Sequence, residues 1–228
     1  HLQKKNDFAI INDNLINVFR KKKYLSRLIL LKYRDYKKIK LKINNIYLSS
    51  RANDENMNFV YTLAKKLKIS DNSFIKSMNS FKGLSHRYEI FFKKHGVTFI
   101  NDSKATSLQS SKFALASSKN IYWIVGGLPK AKDKIDLNNV KNNIIKSYII
   151  GKNISFFKKQ LENKVKFTIN KTLRNAVISI LKEIELSNNK KNVILLSPGA
   201  ASFDQYKNFE NRGNEFKKLS KLYVKKFI

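Results

Sequence analysis

From Phe8 to Ser50 the apolar positions fall into short runs. Phe8-Ala-Ile-Ile is fully apolar, Leu15-Ile-Asn-Val-Phe nearly so, and Tyr36 to Ile43 alternates, so each reads as a β-strand. The period then changes. Met57, Val60, Tyr61, Ala64 and Leu67 recur at three- and four-residue spacing and predict a helix over Asp54 to Leu67. Phe74, Ile75, Met78 and Phe81 predict another over Asp71 to Ser80, with Asp71 as its cap. The turn-rich Phe81-Lys-Gly-Leu-Ser-His then marks a boundary, giving an expected amino-terminal domain over 1–84 and a carboxy-terminal domain over 85–228.

Beyond Arg87 strands and helices alternate. Arg87-Tyr-Glu-Ile-Phe-Phe and Val97-Thr-Phe-Ile flank Lys94-His-Gly as a hairpin. Helices are expected at 108–117, around 137–146, at 154–161, at 172–186 and from about Asn208. Strands are expected at 121–125, 148–150, 165–169 and 193–196. This pattern predicts an α/β fold with a mostly parallel sheet covered on both faces, in which ligands gather at the carboxyl ends of the strands.

Composition narrows the function classes. Apolar residues make up 42% of the 228 positions, enough for a packed core, and no run approaches the ~18 apolar residues of a membrane span. The absence of cysteine excludes disulfide scaffolds and thiolate metal sites. The scattered His1, His86 and His95 argue against a histidine-rich metal centre. The opening His1-Leu2 carries no charged-then-apolar leader, and the chain reads as a piece of a longer protein. The net charge of +31 ordinarily suggests a nucleic-acid partner. Yet only seven of the forty-seven basic residues are arginine, the usual reader of base edges and phosphates. Lysine keeps company with asparagine and isoleucine, as in Lys42-Ile-Asn-Asn-Ile, which is what an AT-rich genome writes at unconstrained surface positions. Compositional drift is the favoured reading, and a selected basic surface the other.

Three strand ends are unusual for plain connectors: Asn101-Asp-Ser-Lys-Ala-Thr, Gly126-Gly-Leu-Pro-Lys and Ser197-Pro-Gly-Ala-Ala-Ser-Phe-Asp. In a parallel sheet all three open on one edge. They would present the ammonium groups of Lys104 and Lys130, the hydroxyls of Ser103, Thr106, Ser197 and Ser202, carboxylates and glycines. Such a cleft suits a small anion with more than one carboxylate or phosphate. Each segment alone is also an ordinary turn or cap, Phe203 and Phe209 read individually as core, and His86 as a surface or satisfied residue. Their conjunction favours a site.

These segments, together with His86-Arg-Tyr-Glu and the continuation Gln205-Tyr-Lys-Asn-Phe-Glu-Asn-Arg-Gly, resemble the carboxy-terminal half of the Mur ligases, above all the D-glutamate-adding branch. The resemblance covers about residues 50–228, while residues 1–50 match loosely the end of the central domain. It implies a Rossmann-like ligase domain preceded by a remnant of the α/β central ATP-binding domain. It also implies a cytoplasmic, monomeric enzyme of peptidoglycan precursor synthesis using ATP and Mg2+. ATP would phosphorylate the carboxylate of UDP-N-acetylmuramoyl-L-alanine, and the amine of D-glutamate would attack the acyl phosphate. Position by position, Thr106, Lys130, Ser202, Phe203 and Phe209 fall where the family binds D-glutamate, and Lys104 where a lysine holds the acyl phosphate. Arg87 and Asp102 fall at nucleotide contacts, and Asn53 and Asn56 at the element near the adenine.

The sequence also departs from the family. Ala52 replaces a histidine, Leu128-Pro129 replaces an acidic residue and glycine, and Gly199 stands where alanine is usual. No Gly-x-x-Gly-Lys-Ser/Thr phosphate loop occurs in these residues, nor the segment of the carbamylated lysine, nor a UDP-binding domain. His1 is not assigned the role of a magnesium ligand. No metal ligand is therefore expected in this chain, ATP and Mg2+ would be bound mainly by parts outside it, and the 228 residues alone are expected to be inactive. Two rivals stand beside this reading: a basic nucleic-acid-binding module, favoured by charge alone, and another Mur or folyl-polyglutamate-type ligase.

Overall fold

The computed structural model describes residues 3–22, 24–48, 53–187 and 189–227, so Ala52 and His1 lie outside the described residues. The chain separates into two compact units, dividing between Lys82 and Gly83. The first holds a two-stranded parallel sheet, β1 (Phe8–Ile11) and β2 (Arg27–Leu30), in register from Phe8 opposite Arg27 to Ile11 opposite Leu30. A 3-10 turn (Asp13–Leu15) and α1 (Ile16–Lys21) connect them. α2 (Tyr33–Lys40), α3 (Asp54–Lys66) and α4 (Asp71–Ser80) follow. Tyr36, Ile39 and Ile43 pack with Met57, Tyr61, Ala64 and Phe74 into one core, the Tyr61 and Phe74 rings meeting edge to face at 5.1 Å. Ser70, rather than Asp71, caps α4 by accepting the Ser73 N–H at 3.2 Å. Val60 on α3 and Leu67 just after it stay exposed, while the polar Asn58 is buried.

Two expected strands in this unit are helical. Leu15, Val18 and Phe19 also satisfy a three- and four-residue period. Asp13 ahead of the helix and Arg20-Lys21 in its last turn suit the helix dipole. Tyr36 to Ile43 alternates in hydropathy, yet its buried members Tyr36, Ile39 and Ile43 are spaced by three and four, and the lysines between them are good helix formers.

The second unit is a six-stranded sheet of order β3-β4-β8-β5-β6-β7, with β3 (Glu89–Lys94), β4 (Val97–Asn101), β5 (Ile121–Gly126), β6 (Ile144–Ile150), β7 (Phe167–Lys171) and β8 (Asn192–Leu196). Only the β3–β4 hairpin is antiparallel. Successive side chains point to opposite faces. Tyr122, Ile124, Tyr148 and Ile150 therefore pack against α7 (Leu173–Glu185) and α8 (Phe209–Phe227). Trp123, Val125 and Ile149 pack against α5 (Leu108–Ala116) and α6 (Ile154–Leu161). The mostly parallel α/β fold, covered on both faces, is what the alternating pattern predicts. The helix expected around 137–146 is absent. Ile135, Leu137 and Val140 are buried as single anchors of an irregular segment, Asp136 caps the Asn138 N–H, and Asn143 reaches the Leu115 carbonyl. A run rich in asparagine satisfies its own turns and hands over to β6 at Ile144.

Candidate functional site

β4, β8 and β5 are adjacent and parallel, so the three unusual strand ends open on one carboxyl edge. Asn101 and Asp102 end β4 inside the protein. Asn101 Oδ1 accepts the Ser103 N–H, which turns its amide nitrogen towards His86 Nδ1 at 2.9 Å and Glu89 Oε2 at 3.3 Å. His86 Nδ1 is thereby an acceptor. Burial, helped by the Lys217 ammonium, holds the His86 pKa below its ordinary value and so favours the neutral imidazole. Burial acts to raise the Glu89 carboxyl, but the His86 backbone N–H and Lys217 outweigh it and hold it low. Asp102 accepts the Tyr88 N–H at 3.1 Å and the Ser197 hydroxyl at 2.7 Å. Burial still raises its carboxyl to about 6, against the lowering by those two donors and Arg87.

α8 closes the edge from the other side. Arg212, 1% exposed, donates Nε to the Ser103 hydroxyl at 3.0 Å and Nη2 to the Ser103 and Ala200 carbonyls at 2.9 and 3.0 Å. One guanidinium thus binds the β4 loop to the β8 loop. Burial lowers its pKa to about 10, which leaves it charged at neutral pH, and Asp204 and Tyr206 favour that charge. Next to it, Gly213 lies so close to His86 and Asn101 that a Cβ would collide with the imidazole. Asp204 ties the β8 loop onward, accepting the Lys152 N–H after β6 at 2.9 Å, while Asn153 donates to the Gly127 carbonyl. Gly127 needs its glycine: its φ is +139°, and a Cβ would strike the Ala201 carbonyl. Leu128 and Ala201 exchange both backbone hydrogen bonds, at 2.8 and 3.0 Å, joining the β5 and β8 loops.

The expected site residues divide accordingly. Lys104 places its ammonium 3.9 Å above the centre of the half-buried Phe209 ring, and Thr106 is half-buried just ahead of α5. Lys130 and Arg87 are exposed, Ser202 is buried at 2% exposure, and Phe203 stands 69% exposed, which overturns its reading as core. Ser103 and Ser197 do not offer their hydroxyls to a cleft. Both are fully buried, donating to the Phe209 carbonyl and to Asp102. Asn53 and Asn56 belong to the amino-terminal unit. Asn53 donates to the Tyr47 carbonyl at 2.7 Å, and Asn56 is exposed on α3. Among the described residues no group of three His, Asp or Glu side chains could hold a metal, and both Asp102 oxygens are already engaged, so magnesium is assigned to no residue here. No helix among them is long and apolar enough to cross a membrane. Arg212 and Asp204 went unassigned in the sequence, although an arginine in a lysine-dominated chain is itself a signal for a site that needs a planar fork.

The structure thus defines an α/β domain whose loops are locked together at one carboxyl edge of its sheet, and the relatives narrow its class. The chain is 39% identical over 189 residues to UDP-N-acetylmuramoylalanine–D-glutamate ligase of Wolbachia sp. subsp. Brugia malayi, covering 80% of this chain and 38% of the relative. It is 42% identical over 148 residues to the enzyme of that name from Agrobacterium fabrum, covering 65% of this chain and 32% of the relative. The chain belongs to the Mur ligase family. Within it, the relatives it resembles are the ligases named for D-glutamate, and it spans about a third of their length. A murein peptide ligase from Psychrobacter arcticus aligns over 73% of this chain and 37% of its own, at 12% identity and a TM-score of 0.42. No protein-family model matches the chain.

Proposed function

We propose that residues 83–228 are the amino-acid-binding domain of a ligase that joins D-glutamate to UDP-N-acetylmuramoyl-L-alanine at the expense of ATP, and that residues 1–82 are the end of its central domain. The carboxylate oxygen of the acyl substrate attacks the γ-phosphorus of ATP, and ADP leaves. The amine of D-glutamate then attacks the acyl carbon, and phosphate leaves as the amide forms. The domain would contribute positioning and charge neutralisation. Lys130, Thr106 and Ser202 would hold the carboxylates of D-glutamate, with Phe209 and the exposed Phe203 against its aliphatic stem. Lys104, oriented by the Phe209 ring, would place its charge where the phosphoryl group and amine meet. Within this unit Arg87 would contact the nucleotide, and Asp102, buried with both oxygens engaged, would hold the loop beside it. Within the amino-terminal unit Asn53 and Asn56 would be nucleotide contacts of their own. A cytoplasmic setting is part of this proposal. Magnesium would be held outside the described residues, and no step here is routed through it.

The observation that supports this reading is the junction of the β4, β5 and β8 loops through Arg212 and the Leu128–Ala201 pair at a single edge. A titration of the chain with D- and L-glutamate, followed by amide NMR, tests it. D-glutamate is expected to shift residues 104–106, 128–130 and 202–209, and L-glutamate is not. Lys130→Ala should weaken the response by about fivefold, since an exposed ammonium contributes up to about 1 kcal/mol to an ion pair. Equal responses to both enantiomers, or shifts elsewhere, sink the proposed pocket. Because these 228 residues contain no phosphate loop, the chain alone should form no ADP from ATP and the two substrates, and measured ADP would overturn that expectation.

A further inference from the structure

We propose that the amino edge of the six-stranded sheet, the edge away from the candidate site, carries a second binding site for an oligophosphate group. A cleft of 690 Å³ opens there between the β3–β4 turn, the turn after α5 and the start of β8. Lys93, Lys94, Lys119 and Lys191 line it, with His95, and no carboxylate does. The ion pairs among the described residues engage Lys40, Lys65, Lys112, Lys146 and Lys217, so these four ammonium groups are unpaired there.

The turns are fixed before any ligand arrives. Asn192 donates its N–H to the Gly96 carbonyl and Val193 to the Asn120 carbonyl, each at 3.0 Å, and Asn120 Nδ2 reaches the Lys191 carbonyl at 3.0 Å. At Gly96, φ is +79° and a Cβ would collide with the Lys190 carbonyl, so hairpin and loop touch directly. The backbones of three different turns that carry these lysines are thereby fixed around one hollow.

Lysines at such an edge have a plainer use, since α5 and α7 both end towards it and each helix terminus carries about −0.5 charge. Two termini supply roughly −1 against four ammonium groups and leave roughly +3. A hollow of this volume is roughly 11 Å across, wider than the ~8 Å screening length at physiological salt, so each ammonium acts mainly on a phosphate seated beside it and several linked phosphates are needed to engage all four. No phenyl, phenol or indole ring lines the cleft, and the His95 imidazole is its one aromatic ring, so successive nucleobases have no run of stacking platforms. What remains is recognition of clustered phosphates by point charges, with the Ser118 hydroxyl, held 2.9 Å from that of Tyr88, at the rim.

Inorganic tripolyphosphate titrated into the whole chain at about 150 mM salt, followed by amide NMR, tests this. Saturable shifts are expected at 93–98, 118–120 and 191–193. The variant Lys93→Gln/Lys94→Gln/Lys119→Gln/Lys191→Gln should bind about tenfold or more weakly. The equally discharged variant Lys218→Gln/Lys221→Gln/Lys225→Gln/Lys226→Gln, altered on the exposed face of α8, should bind within about threefold of the original. Unsaturable shifts, equal weakening in both variants, or tighter binding of a short oligothymidylate at the same residues would each overturn the proposal, the last by making the surface a nucleic-acid contact.

Discussion

Asp102 shows how much chemistry one residue of the β4 end carries. Its carboxyl is raised from 3.8 to about 6 in the fold, so the folded protein holds that proton more tightly than the unfolded chain. The stability tied to the protonated form is complete below pH 3.8 and is lost as pH rises through about 6. A shift of roughly two units corresponds to about 3 kcal/mol. Asp102→Asn has no proton to lose and should flatten the fall in stability between about pH 4 and 6. Urea midpoints across that window measure it, and parallel curves for the two proteins would show that another group sets the slope. Residue chemistry at this edge was only half legible in the sequence. The strand ends single out Lys104, Thr106 and Ser202 as candidates, but Ser103 and Ser197 look identical to a ligand hydroxyl until their partners are seen. For Ser103 that partner is the Phe209 carbonyl at the start of α8, 106 residues further along, and for Ser197 it is the Asp102 carboxylate, 95 residues back.

Among the elements, α8 is the one whose packing decides the site, and Gly213 is where it comes closest. A glycine inside a helix ordinarily costs about 1 kcal/mol relative to alanine, so propensity alone predicts that Gly213→Ala stabilises. Here the added Cβ meets the His86 ring and lies 3.0 Å from both side-chain polar atoms of Asn101. The Asn101 amide is bonded to both the His86 ring and Glu89, and the His86 backbone N–H also donates to Glu89, so neither side chain can yield cheaply. Gly213→Ala should therefore destabilise by about 1–3 kcal/mol, read from the urea midpoint at constant slope. A gain in stability would mean that α8 can shift. The elements of the second unit were legible because 121–126 is a short, continuous apolar run bounded by turn residues and 173–185 keeps one helical period over its length. In the first unit the runs are short enough to satisfy both periods, and burial alone separates them. Tyr36, Ile39 and Ile43 fit a helix only once they are seen facing Met57 and Tyr61.

At the scale of the whole molecule the question is what a charge of +31 does. The two readings, drift and a selected basic surface, predict different consequences for lysines on an exposed helix face. Lys218, Lys221, Lys225 and Lys226 are exposed on α8 and form no ion pair among the described residues. Replacing them with glutamine keeps helix propensity nearly constant. Lys225 and Lys226 complement the helix terminus, worth about 0.3–1 kcal/mol each, and their loss works against stability. Lowering the self-repulsion of so cationic a chain works in favour. These opposing effects are of similar size, so the fourfold variant should melt within about 4 °C of the original. Its melting temperature should also rise less steeply with salt, because fewer like charges remain to be screened. A fall of about 8 °C or more would show that this lysine face is structural, and drift would no longer account for it.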